Sequence, residues 1–132
     1  MKMKRHDILI IALAALFIGS FSPLASAAEK LTKEAVRQLI TGNTIEEVHT
    51  ENPWQNKLYF TADGKFKRID QNNNPDSGKW DFDPDGSLCL ERKKRKCWFI
   101  QTAEEGTYHV MSRTRGQHKK TWRVVKGNPY KL

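Results

Sequence analysis

The sequence predicts a mainly β fold, in which a single N-terminal helix packs on a small antiparallel meander barrel or sandwich of about eight short strands. Turn residues recur about every 8–12 residues along most of the chain, which is the spacing of all-β barrels and sandwiches. After residue 28, apolar residues at helical spacing occur in one stretch. Crossover helices between parallel strands are therefore not expected.

The helix is predicted between Thr32, a suitable N-cap, and Gly42, a suitable C-terminal stop. Its apolar face is formed by Ala35, Val36, Leu39 and Ile40. Because so short a helix is marginally stable alone, we expect this face to dock on the sheet.

Eight strands are predicted after the helix. They cover residues 44–50, 57–60, 66–69, 79–82, 88–90, 97–101, 108–111 and 121–125. Asp63-Gly64 and Asp85-Gly86 predict tight turns, and residues 72–78, rich in Asn, Pro and Gly, are predicted to form a loop. The aromatic residues of the strands are predicted to fill the core, since the interior of a small barrel is filled by side chains.

Residues 1–27 are predicted to be a secretory signal peptide, cleaved after Ala27. A basic start is followed by an uncharged apolar run over residues 8–18 and by small residues that match the Ala-x-Ala cleavage pattern. The apolar run is shorter than the about 20 residues that span a bilayer. We therefore expect residues 28–132 to form one domain in the periplasm or outside the cell, with no integral membrane segment.

Cys89 and Cys97 are predicted to form one structural disulfide. An even cysteine count in an exported chain indicates pairing. The seven residues between them allow the two cysteines to lie opposite each other on paired strands. Redox-active pairs have Cys-x-x-Cys spacing, so thiol catalysis is not expected.

A run of five cations lies between the two cysteines: Arg92, Lys93, Lys94, Arg95 and Lys96. The chain as a whole is also basic, with a formal net charge of +8, which removal of the leader lowers to +6. Because clustered cations attract anionic surfaces, we expect this hairpin loop to contact an anionic envelope component or an acidic protein. A solvated turn is the alternative. Nucleic acid is not expected, because little of it meets an exported protein.

No metal or cofactor site is predicted. Asp81, Asp83, Asp85 and Gly86 match the start of an EF-hand calcium loop, but the twelfth position is Arg92, where the motif needs Glu. This acidic segment is therefore predicted to be the end of a strand and a turn.

The sequence contains no recognisable catalytic motif either, so the protein is not predicted to be an enzyme. Glu46-Glu47 is an adjacent pair on a strand, so its two side chains point to opposite faces and do not converge on one substrate. A hydrolase that uses His109 or His118 is the remaining catalytic hypothesis, and neither residue accompanies a nucleophile motif such as Gly-x-Ser-x-Gly.

The order of short motifs resembles that of a family of small exported proteobacterial proteins, the domain of unknown function 995 family. The motifs that carry the resemblance lie at residues 39–44, 59–64, 78–80, 86–89, 97–98 and 122–129. The resemblance implies an exported, mostly β single domain with a disulfide, and it implies no activity. The run of five cations lies outside these motifs.

Two functions are therefore expected as alternatives. The first is an exported, periplasmic, non-catalytic binding module that contacts its anionic partner through residues 92–96. The second is a lipocalin-like carrier, in which a small apolar ligand lies among the aromatic residues of the barrel.

Overall fold

Eight antiparallel strands close into a barrel in which every strand pairs with its sequence neighbours and the last pairs back with the first. The computed structural model describes residues 28–132, so the predicted leader lies outside the described residues. The strands are β1 (Thr44–His49), β2 (Gln55–Phe60), β3 (Lys65–Asp70), β4 (Pro75–Phe82), β5 (Leu88–Glu91), β6 (Arg95–Thr102), β7 (Thr107–Ser112) and β8 (His118–Val125). The prediction of a mainly β meander is confirmed. Because β8 pairs with β1 and closes the sheet, the fold is the barrel and not the sandwich.

One short helix, α1 (Lys33–Ile40), precedes the eight strands. The Thr32 hydroxyl accepts a hydrogen bond from the Ala35 N–H at 3.2 Å, so the predicted N-cap is confirmed. Gly42 follows the C-cap with a positive φ of 73°, and its N–H donates to the Phe60 carbonyl at 2.8 Å. This bond ties the end of the helix to the end of β2. No helix within residues 28–132 has the length and apolar character needed to cross a bilayer.

α1 lies at one end of the barrel, which we call the closed end. Its Val36 and Ile40 are buried in the same apolar cluster as the barrel core. Phe60 is central to that core, because its ring centroid lies 5.9 to 6.2 Å from those of Phe66, Trp80 and Trp122. Such separations are typical of favourable aromatic packing. The predicted aromatic core is confirmed at this end of the barrel, where the side chains fill the interior.

One predicted loop is wrong in its extent. Residues 75–78 were expected to be irregular, but they form the first half of β4 and pair with β3 from Ile69↔Pro75 to Phe66↔Gly78. Asp70 shortens the connection, because its carboxylate accepts hydrogen bonds from the N–H groups of Asn72 and Asn74. Pro75 is compatible with the sheet because it is the first residue of its strand.

Gly78 occupies a position in β4 that has no room for a side chain. A Cβ atom there would lie 2.2 Å from the Glu91 carbonyl oxygen and 2.7 Å from the Phe66 ring. The close approach of the neighbouring backbone therefore requires glycine, although the φ of this residue is not in the left-handed region.

We predict that Gly78→Ala lowers the free energy of unfolding by about 3 kcal/mol, because the new methyl group must displace backbone. Urea unfolding measures the change. Ser77→Ala is the matched control on the same strand, and since Ser77 is exposed its effect should stay within about 0.5 kcal/mol. Equal stabilities of the two variants would contradict the packing described here.

Candidate functional site

The tip of the basic hairpin is shorter than the sequence predicted. Arg92, Lys93 and Lys94 form the turn, whereas Arg95 and Lys96 already belong to β6. Cys89 and Cys97 lie opposite each other in the β5–β6 register and are joined by the predicted disulfide, with 4.0 Å between their Cα atoms. The disulfide therefore fixes the base of a narrow, stapled hairpin.

The five cations of this hairpin fall into two groups. Arg92 makes an ion pair with Asp76 at 2.5 Å, and Arg95 contacts Asp81 at 2.6 Å and Asp83 at 2.7 Å. Hydrogen bonds from Arg95 and from Arg113 lower the pKa of Asp83. Among the residues that the structure describes, the remaining three cations, Lys93, Lys94 and Lys96, have no ion-pair partner.

The acidic segment 81–86 forms the end of β4 and a turn, as predicted. Its carboxylates bind side chains of the protein: Asp83 contacts Arg95 and Arg113, and Asp85 accepts a hydrogen bond from the Ser87 hydroxyl at 2.6 Å. Asp83 also lies beside the Sγ atoms of both cysteines. Those atoms are joined in the disulfide, so this cluster offers no thiolate to a metal ion.

A cavity of about 890 Å³ opens at the barrel end opposite α1, which we call the open end. Eight cations line it and its rim: Arg68, Arg92, Lys93, Lys94, Lys96, Arg113, Lys119 and Lys120. We call these eight residues the basic mouth. Three carboxylates, those of Glu47, Glu51 and Asp76, lie among them. Four of the five hairpin cations are thus part of a larger basic surface that surrounds a concave site, and Arg95 is not.

A buried carboxylate organises the wall of this cavity. Glu47 on β1 is 3% exposed and accepts hydrogen bonds from the Trp122 indole N–H at 2.8 Å and from the Asn56 amide at 3.0 Å. His49 Nε2 and Lys120 Nζ each lie 3.5 Å from its Oε1 atom. Burial alone would raise the pKa of Glu47, but the hydrogen bond with His49, the Lys120 charge and the bonds from Trp122 and Asn56 outweigh it and lower the pKa to about 2. Glu47 is therefore a fixed negative charge at neutral pH.

Asn56 links this carboxylate to a second cation of the wall. Its side-chain oxygen accepts from Arg68 Nη2 at 2.8 Å and from the Trp54 indole N–H at 2.9 Å, while its amide nitrogen donates to Glu47. No buried side-chain nitrogen or oxygen within residues 28–132 lacks a partner. The wall is thus a satisfied network that holds its charged groups in place.

The cations of the wall are close enough to repel one another. Burial lowers the pKa of Lys120, Glu47 opposes this, and the charges of Lys96 and Arg68 lower it further. Burial also lowers the pKa of Arg68, followed by the charge of Arg92. Lys120 Nζ in addition lies 4.4 Å from the centroid of the Trp98 ring, a cation–π contact on the same wall.

The floor of the cavity is apolar. Leu58, Phe66 and Leu90 line it, and all three are buried. Below them the interior is filled by the aromatic core around Phe60. The cavity therefore consists of a charged wall above a shallow apolar floor.

Most of the cations predicted from the sequence lie on the rim of this cavity, whereas the residues of its wall were not predicted. Glu47, Asn56, Arg68 and Lys120 were not predicted as site residues, yet all four line the cavity. A signal was present, because each stands two positions from an inward-facing apolar residue of the same strand, as Glu47 does from Ile45. A charged residue in phase with the core side of a strand indicates a polar layer inside a barrel.

The two histidines considered for catalysis lie elsewhere. His109 and His118 stack on the outer side of the barrel, with 3.7 Å between ring centroids, and His118 Nε2 is 3.0 Å from the Thr121 hydroxyl oxygen. Burial and the neighbouring His118 lower the pKa of His109. The structure therefore does not bring these side chains to the cavity.

Comparisons with known proteins add no assignment: no family model matches the chain, and no curated protein matches it. The resemblance to the domain of unknown function 995 family consequently stays a prediction.

We predict that Glu47→Gln makes the free energy of unfolding less dependent on pH in the acid range. The pKa of Glu47 is about 2 in the folded protein, against an ordinary value of 4.5. The ionised carboxylate therefore stabilises the native protein above about pH 4.5, and this stabilisation is lost as the pH falls towards 2. The variant should be less stable than the native protein at pH 7, and the difference should shrink by up to about 3 kcal/mol between pH 5 and pH 2.

Urea unfolding at a series of pH values measures this difference. Glu105→Gln is the control, because Glu105 is exposed in the β6–β7 turn, and its curve should run parallel to that of the native protein. A stability difference between Glu47→Gln and native protein that is independent of pH would contradict the assignment of a buried, ionised carboxylate.

Proposed function

We propose that the protein is an exported, non-catalytic binding module whose basic mouth contacts an anionic partner. The observation that supports this most strongly is the excess of cations at the open end, where eight basic side chains surround a cavity that contains three carboxylates. The disulfide supports an oxidising, extracytoplasmic location, because such bonds persist there. The predicted leader agrees with the same location.

The proposed contact surface is wider than the hairpin tip. Arg95 is engaged by Asp81 and Asp83, so its charge is largely satisfied within the protein. Lys93, Lys94 and Lys96 remain available, and Arg68 and Lys120 add charge from inside the barrel. A partner that approached the open end would meet all of these groups together.

The state of Glu47 supports a binding role over an acid–base role. A general acid or base works best when its pKa is near the operating pH. Glu47 has a pKa of about 2 and is held by several donors, so it stays ionised and occupied near neutral pH. Its proposed task is to hold Lys120 and Asn56 in position.

The second candidate function is a carrier of a small ligand with an apolar part. The floor formed by Leu58, Phe66 and Leu90 favours it, because apolar side chains beneath a polar wall are typical of small-molecule sites. Salt separates the two functions. Contacts with exposed charges weaken steeply with ionic strength, since the Debye length falls from about 10 Å at 0.1 M to about 3 Å at 1 M, whereas apolar contacts do not.

In-cell photocrosslinking tests the proposal. A photoreactive residue at position 94 lies on the rim of the basic mouth, and the matched control at Lys126 is an exposed lysine that follows β8 at the closed end. We expect a discrete adduct from position 94 and none from position 126. In isolated cell envelopes, 0.5 M salt applied before irradiation should abolish the adduct. Mass spectrometry then identifies the partner.

Absence of an adduct at position 94, or equal adducts at both positions, would contradict a specific contact at the basic mouth. An adduct that persists unchanged in high salt would favour the carrier function over contact through exposed charges.

A further inference from the structure

We infer that the cavity of the open end binds a small organic phosphate, with its dianionic group among Arg68, Lys96 and Lys120 and a short apolar part on the floor below. This inference rests on the proposed function, because it assigns a ligand class to the same basic mouth. Three features of the cavity support the inference: its depth, the charges on its wall, and the position of the polar groups above the apolar ones.

The depth of the cavity limits the apolar part of the ligand. Beneath Leu58, Phe66 and Leu90, the rings of Phe60, Trp80 and Trp122 fill the barrel, and α1 covers the closed end. A long acyl chain would have no channel to enter. The cavity volume of about 890 Å³ lies within the range of about 300–1,000 Å³ that is usual for small-molecule sites.

The charges on the wall define the head group. Four of the cations that line the cavity belong to its wall or to the adjoining rim: Arg68, Arg92, Lys96 and Lys120. The carboxylates of Glu47 and Asp76 face them, at 3.5 Å from Lys120 and 2.5 Å from Arg92. Because Arg68 and Arg92 share Asp76, the four cations exceed the two carboxylates by two positive charges. A phosphate monoester, which carries a charge of about −1.5 to −2 at neutral pH and has three acceptor oxygens, matches this excess.

The donors of the wall are suited to such a group. Arg68 uses Nη2 for Asn56, and its distance to Asp76 is 3.9 Å, so the guanidinium has further N–H groups for an anion. Lys96 has no ion-pair partner among the described residues. Lys120 Nζ lies over the face of the Trp98 ring, which holds this charge at the cavity wall.

Isothermal titration calorimetry of the chain lacking residues 1–27 tests the inference with four probes. Phenyl phosphate supplies both parts of the ligand, inorganic phosphate only the charge, benzyl alcohol only the ring, and octyl phosphate a longer chain. We expect phenyl phosphate to bind at least tenfold more tightly than inorganic phosphate, no detectable binding of benzyl alcohol, and no gain for octyl phosphate over phenyl phosphate.

Lys96→Met and Arg68→Met are each expected to weaken phenyl phosphate binding at least tenfold. Lys96→Met is the decisive variant, because Lys96 is exposed and its loss breaks no contact of the fold, whereas Arg68 also supports Asn56. Lys67→Met and Lys79→Met are the controls, exposed lysines that alternate with inward-facing residues of β3 and β4, and they should bind as the native protein does.

Three results would overturn the inference: no binding of phenyl phosphate, equal losses in Lys96→Met and the controls, or octyl phosphate binding tenfold more tightly than phenyl phosphate, which would indicate a lipid. These results are distinct from failure of the proposed function. An adduct at position 94 with a protein or a lipid, together with no phenyl phosphate binding, would leave the basic mouth as a contact surface and remove the small phosphate.

Discussion

The open end of the barrel depends on a carboxylate that is buried among cations. An unpaired charge in this position would be strongly destabilising, so Glu47 is tolerated because His49, Lys120, Trp122 and Asn56 surround it. The same contacts hold Lys120 and Asn56 at the cavity wall, and Asn56 in turn receives Arg68. Strands β1, β2, β3 and β8 therefore meet through polar groups at this end, where apolar packing would otherwise fill the space.

The barrel interior is divided into two layers with different roles. At the closed end, aromatic rings and the buried face of α1 pack together and provide the apolar burial that stabilises a small fold. At the open end, charged side chains line a cavity and keep it accessible to water. The disulfide between β5 and β6 lies at the base of the hairpin whose turn forms part of the rim. This division explains how about a hundred residues support both a core and a site.

Local patterns predicted the fold well, because its elements are specified by nearby residues. Thr32 caps α1, Asp-Gly turns separate strands, and alternation places the aromatic residues inside. The first half of β4 was missed because Pro75 and Asp76 have low strand propensity and owe their conformation to pairing with β3. The cavity wall was missed for a related reason. Glu47, Asn56 and Lys120 are neighbours because of the register of three strands. The hairpin cations form a continuous run that is visible in the sequence, whereas strand register is not.

The proposed small-anion site at the open end consists of a charged wall over an apolar floor. A crystal structure with 4-bromophenyl phosphate tests it most directly, because the anomalous signal of bromine locates the ring independently of the phosphate. We expect bromine beside Leu58, Phe66 and Leu90, and the phosphate within hydrogen-bond distance of Arg68 and Lys120. Bromine at the rim with an empty floor, or a ligand on the outer surface of the barrel, would contradict the proposed site.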